Sequence, residues 1–172
     1  MPPPTTYVSV VEFAVELEQL RRALLTPERW AGSWGHVRSL ERLDPGVGDG
    51  TGRRYRTTVR AVLPYTLTWE MRLVEAASHR LRWEADGDLD GVATLELATT
   101  PGRTAVHASW SVRPTPRWMR LLWPVARPLF VRNHDEVMRR GAAHLADHLG
   151  VALLRCEVGV SERRGDGAPG PP

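Results

Sequence analysis

Three tryptophans, Trp69, Trp83 and Trp110, fall in separate stretches of alternating sequence, each in phase with its apolar neighbours. Tyr55 holds the same phase in a fourth stretch, with Thr57 two residues on, and Met71 lies two residues after Trp69. Side chains two apart on a strand share a face, so all of these face whatever the strands enclose. Aromatic rings in that position suit a flat apolar ligand, with indole N–H groups available to a ligand oxygen. The competing reading makes the same rings an ordinary core. Asn133 and His134 lie on or beside the apolar stripe of a C-terminal helical stretch that also carries Phe130 and Val137. Buried polar side chains need partners, so these two either satisfy each other and the backbone or meet a ligand. A histidine beside a pocket, with an unperturbed pKa of about 6.5, also suits general acid–base work. Tyr55 and His134 are thus the candidate catalytic residues. The candidate ligand contacts are Tyr55, Thr57, Trp69, Met71, Trp83, Trp110, Phe130, Asn133 and Val137.

Other constellations carry less chemistry. Asp86, Asp88, Asp90 and Gly91 spell the first half of a calcium loop, but its twelfth position is Leu97 and strands flank it, so a hairpin turn is expected. His144 and His148 are one helical turn apart, yet Leu145 stands where a zinc hydrolase has glutamate and no third ligand is evident. No metal and no cofactor is expected. The glycines of Gly48-Asp49-Gly50-Thr51-Gly52 precede a strand in a chain without lysine, which excludes a P-loop. Cys156, the single cysteine, has no activating neighbours and no disulfide partner within the chain. Arg117 to Trp123 is apolar, aromatic and basic; it is read as a lid or a dock on the sheet edge, with a transient membrane-surface contact as the other reading.

The 172 residues, 42% hydrophobic, suffice for one domain with a core. All 23 basic residues are arginine and 20 carboxylates are scattered among them, so the net charge is only +3 and the pI of about 9.7 exaggerates it. Without a single-sign tract, nucleic acid is not an expected partner. No run approaches the roughly 18 apolar residues of a spanning helix, and the N-terminus lacks a signal-peptide pattern. A soluble cytoplasmic protein is expected, with its oligomeric state open.

These residues need elements to position them. Residues 1–6 are read as a flexible proline-rich leader and 7–15 as a strand. A helix carrying Leu17, Leu20, Ala23 and Leu24 follows, then a second short helix after Thr26-Pro27 that bears Trp30. From His36 to Val112 alternation predicts about six more strands, with one face packed and one wet. Pro124 and Pro128 are expected to separate a short aromatic segment from a long helix that starts near Val125 and is capped by Gly150. Residues 151–172 are read as a tail: a turn of helix or a loose strand, then disorder from about 161. The fold class is α+β, a curved antiparallel sheet of about seven strands gripping one long helix and leaving a gap along it.

This order resembles the START-like, or SRPBCC, superfamily with its helix-grip fold, and within it the polyketide cyclase/dehydrase and lipid-transport group. The resembling residues are Phe13–Leu25, the turn Gly87-Asp88-Leu89-Asp90-Gly91, the strand end Trp110-Ser111-Val112 and the helical run Asn133 to Gly141. The resemblance spans residues 7–149 and implies a helix-grip domain over 7–150. It implies binding of a small hydrophobic molecule (polyketide-like, lipid or isoprenoid) in a carrier-like role. The alternatives are a polyketide cyclase or dehydratase acting on a reactive carbonyl in the same cavity, and a protein-interaction subunit using the arginine-rich outer face.

Overall fold

The computed structural model describes residues 4–33, 35–60 and 65–161. Alternating sequence gives strands β1 (Thr5–Phe13), β2 (Val37–Asp44), β3 (Arg54–Arg60), β4 (Thr66–Ala77), β5 (Arg80–Gly87), β6 (Leu89–Thr100), β7 (Arg103–Pro114) and β8 (Leu153–Ser161). They form one sheet, ordered β2-β3-β4-β5-β6-β7-β1-β8, with every neighbouring pair antiparallel. Helix α1 (Leu17–Leu25) follows β1, and α2 (Arg117–Leu149) crosses the enclosed face. The architecture is the α+β helix grip expected.

Four details differ from expectation. The sheet has eight strands: residues 153–161 pair with β1 along their length, which turns β1 into an interior strand. Strand β1 begins at Thr5, inside the stretch read as a leader, and Thr5 and Thr6 pair with Val112 and Ser111. In place of a second short helix, two single 3-10 turns, Pro27–Arg29 and Ala31–Ser33, flank Trp30. Helix α2 runs unbroken through Pro124 and Pro128. Both prolines are exposed, so the carbonyls that lose an N–H partner lie on the watered side of the helix. Residues 162–172, expected to be disordered, lie outside the described residues.

Two glycines permit the curvature. At Gly91, on β6, an added Cβ would sit 2.0 Å from the Ser111 carbonyl oxygen of β7. At Gly87, with φ +134°, it would sit 2.8 Å from the Trp69 Cα. The backbones of β4 to β7 close in at this corner because neither position carries a side chain.

The core divides. Val11, Phe13, Val15, Leu20 and Ala23 pack with Leu97, Val106, Ala142, Leu145 and Ala146, fixing α1 and the C-terminal part of α2 to the sheet. A second cluster joins Leu25, Tyr55, Leu73, Leu81 and Trp83 beneath the end of α1. Helix α2 meets β8 chiefly, and β1 more sparsely. Its earlier turns bridge the concave face instead of filling it. Gly150 ends the helix in the left-handed conformation, and the Val151 N–H returns to the Ala146 carbonyl.

Candidate ligand-binding site

Between the concave face and α2 lies a cavity of about 410 Å³. That volume lies within the roughly 300–1,000 Å³ typical of small-molecule sites. Its wall contains every candidate ligand contact and both candidate catalytic residues: Tyr55, Thr57, Trp69, Met71, Trp83, Trp110, Phe130, Asn133, His134 and Val137. No arginine, aspartate or glutamate is among the described lining residues.

Curvature brings the tryptophans together. Strands β4 and β7 are three places apart in the sheet, about 14 Å if it were flat, yet the Trp69 and Trp110 ring centroids are 6.2 Å apart. The His134 ring lies 5.7 Å beyond Trp110 and stacks on Tyr7 at 4.0 Å, with 25° between planes. Thr57 pairs with Trp69 across β3 and β4.

Polar atoms in this wall are short of partners. Among the described residues, the Thr57 Oγ1, Trp69 Nε1, Trp110 Nε1, His134 Nδ1 and His36 Nε2 atoms are buried without a hydrogen bond. Trp69 and Thr57 are only 8% and 7% exposed. Such groups cost about 1–3 kcal/mol each when left unmet. Asp135 Oδ1 is likewise buried and unpartnered, 3.8 Å from His134 Nδ1, too far for a hydrogen bond.

The two candidate catalytic residues differ. The Tyr55 hydroxyl donates to Glu28 Oε2 at 2.7 Å, and burial together with that bond raises its pKa above the ordinary tyrosine range. It touches the cavity with its ring, while its proton is committed to Glu28. Burial pushes the His134 pKa down to about 4, against a weaker opposing pull from Asp135, so the imidazole is neutral at pH 7.

Sequence reasoning missed Tyr7, Ser9, His36 and Ala108, which also line the cavity. Tyr7 and Ser9 share the phase of Val11 and Phe13 on β1, a signal that was present. His36 precedes β2 and carried none. Trp30, assigned from the sequence to a second short helix, lines the cavity and donates its indole N–H to the Ala23 carbonyl; Trp34 lies outside the described residues.

The remaining motifs serve the fold. Asp88 accepts the Thr68 N–H at 2.8 Å and Asp90 pairs with Arg113 at 2.8 Å. His144 Nε2 lies 2.8 Å from the Trp30 carbonyl oxygen. Burial raises the Cys156 thiol pKa, the reverse of activation. On the outer face a shallow hollow of about 670 Å³ is lined by Arg54, Glu70, Arg72, Glu84, Asp90 and Arg113. Its charges are spent on one another, as in Arg72–Glu84 at 2.9 Å. In the first turns of α2, Met119 is buried and Trp123 lines the cavity, while Trp118, Leu121, Leu122, Val125 and Leu129 are exposed. No helix among the described residues is long and apolar enough to cross a membrane.

Residues 4–150 match the sequence profile of the family described as polyketide cyclase / dehydrase and lipid transport. The chain belongs to that family. No curated protein matches it in sequence. Solved structures share the fold. A START superfamily protein from Mycobacterium smegmatis superposes with a TM-score of 0.65 at 14% identity, covering 85% of this chain and 97% of its own. The Zhui aromatase/cyclase of a Streptomyces species gives 0.66 at 12%, covering 84% and 93%. A Thermus thermophilus protein gives 0.65 at 18%, covering 83% and 98%.

The neutral His134 has a measurable consequence. An unfolded chain takes up a proton near pH 6.5, whereas the folded protein resists until about pH 4. Stability therefore falls as pH drops through that window, by about 2–3 kcal/mol between pH 7.5 and 4.5 from this residue. Urea denaturation at the two pH values should show the drop in the parent and a correspondingly smaller one in His134→Gln. Equal drops would place His134 in water.

Proposed function

We propose that the protein is a non-catalytic, carrier-like binder that holds one small apolar molecule between the sheet and α2. The observation that carries this reading is the cavity itself: apolar walls, no arginine or carboxylate among the described lining residues, and buried polar atoms left without protein partners. Burying about 300 Å² of ligand at about 25 cal/mol per Å² contributes ~7.5 kcal/mol before the entropic cost of association.

A cyclase or dehydratase acting on a reactive carbonyl compound is the second reading, favoured by the water-poor space around His134. Against it, a base with a pKa near 4 is weak at neutral pH, and Tyr55 is held by Glu28. A β-polyketone recovered unchanged after incubation with the protein would count against this reading.

The first turns of α2 supply a route for loading. Trp118, Leu121, Leu122, Val125 and Leu129 form one exposed helical stripe, and Arg117, Arg120, Arg127 and Arg132 accompany it with no carboxylate between residues 117 and 134. Apolar insertion flanked by arginine fits an anionic bilayer surface.

Two measurements test these statements. Native mass spectrometry of the parent, incubated with aromatic ketones, fatty acids and isoprenoid quinones, should show one bound apolar mass, absent from Ala108→Trp, whose side chain fills the cavity. A parent that stays empty and shows no thermal shift across that panel would sink the binder. Sedimentation with phosphatidylserine vesicles should carry down the parent but several-fold less of Leu121→Asp/Val125→Asp. Equal sedimentation of the two would remove the membrane contact.

A further inference from the structure

Resting on the ligand-cavity reading, we infer that the site selects an uncharged ligand whose carbonyl oxygens accept hydrogen bonds from the Trp69 and Trp110 indoles, and that it rejects carboxylates of the same shape. An indole N–H is a donor only, so a hydroxyl-oxygen, ether or carbonyl acceptor satisfies it and a hydrocarbon does not. Both nitrogens are buried and unpartnered, and their rings are neighbours at 6.2 Å. Thr57, across the strand pair from Trp69, adds a hydroxyl with no bond of its own. His134, 5.7 Å from Trp110, adds an imidazole nitrogen. Thr57, Trp69, Trp110 and His134 thus form a run of polar atoms along one part of an otherwise apolar cavity.

The charge follows from what the wall lacks. No arginine is among the described lining residues, and the Arg127 charge acts on Tyr7 from outside the wall, so a buried carboxylate would have no guanidinium in contact with it to offset its loss of water. Asp135, with an unpartnered buried oxygen next to His134, places a carboxyl group behind the same wall and disfavours an anion further. A long-chain fatty acid satisfies the apolar walls and fails this condition. A neutral aromatic ketone or quinone satisfies both.

Three probes of one shape separate the terms: fluorene, 9-fluorenone and fluorene-9-carboxylate. In equilibrium dialysis against the full-length parent at pH 7.5, fluorenone should bind about tenfold or more tightly than fluorene, the effect of meeting a buried donor that is otherwise unmet. The carboxylate should bind weakest of the three. In Trp69→Phe/Trp110→Phe the ratio of fluorenone to fluorene affinity should fall to about one, because phenylalanine keeps an aromatic wall and removes the donor. Indole N–H resonances of the parent give a readout free of mutation: fluorenone should move Trp69 and Trp110 downfield, and fluorene should not. Equal affinity for fluorene and fluorenone, or tightest binding by the carboxylate, overturns the inference and leaves the ligand cavity standing. Failure of all three probes to bind overturns the cavity reading itself.

Discussion

One helix is too narrow to cover an eight-stranded sheet. Seven strand spacings of about 4.8 Å make a surface about 34 Å across, whereas an α-helix with its side chains is about 10–12 Å wide. The protein meets this mismatch by curling the sheet, using α1 and two 3-10 turns as further cover, and leaving space under the first half of α2. The close backbone approach at Gly87 and Gly91 belongs to the same solution, since it lets β4 and β7 bring their tryptophans within 6.2 Å. Fold and cavity are consequences of one geometric constraint.

The distribution of polar atoms separates this cavity from imperfect packing. Where side chains serve the fold, their bonds are made: Thr104 donates to the Val15 carbonyl, Trp30 to Ala23, and Arg21 to Ala76. Around the cavity, Thr57, Trp69, Trp110, His36 and His134 leave theirs open. Structure that only stabilised itself would gain by filling these positions with apolar groups. The same contrast divides the candidate catalytic pair, because Tyr55 has found Glu28 whereas His134 has found a ring to stack on and no hydrogen-bond partner at Nδ1.

Local pattern made much of this legible. Period-two alternation placed Tyr55, Thr57, Trp69, Met71, Trp83 and Trp110 on the enclosed face, and the helical stripe placed Phe130, Asn133 and Val137 opposite them. The failures are of another kind. Strand β8 consists of residues whose short apolar run fits helix or strand equally, and its pairing with β1 spans almost the whole chain. Pro124 and Pro128 lie on the exposed side of α2, where the carbonyls they leave unbonded reach water, and exposure is a tertiary property. Tyr55 lost its free hydroxyl to a glutamate 27 residues away, on a turn whose placement no local rule gives. Periodicity reports which face a side chain takes, not which partner it meets.

The central claim is that the grip encloses an apolar space that protein atoms do not fill. Diffraction from crystals pressurised with xenon addresses it directly, because xenon collects in apolar cavities. The account predicts xenon density among Trp69, Trp83, Trp110 and Phe130, beneath the first half of α2. A map without xenon there, with α2 settled onto the sheet and its side chains occupying the gap, would contradict it.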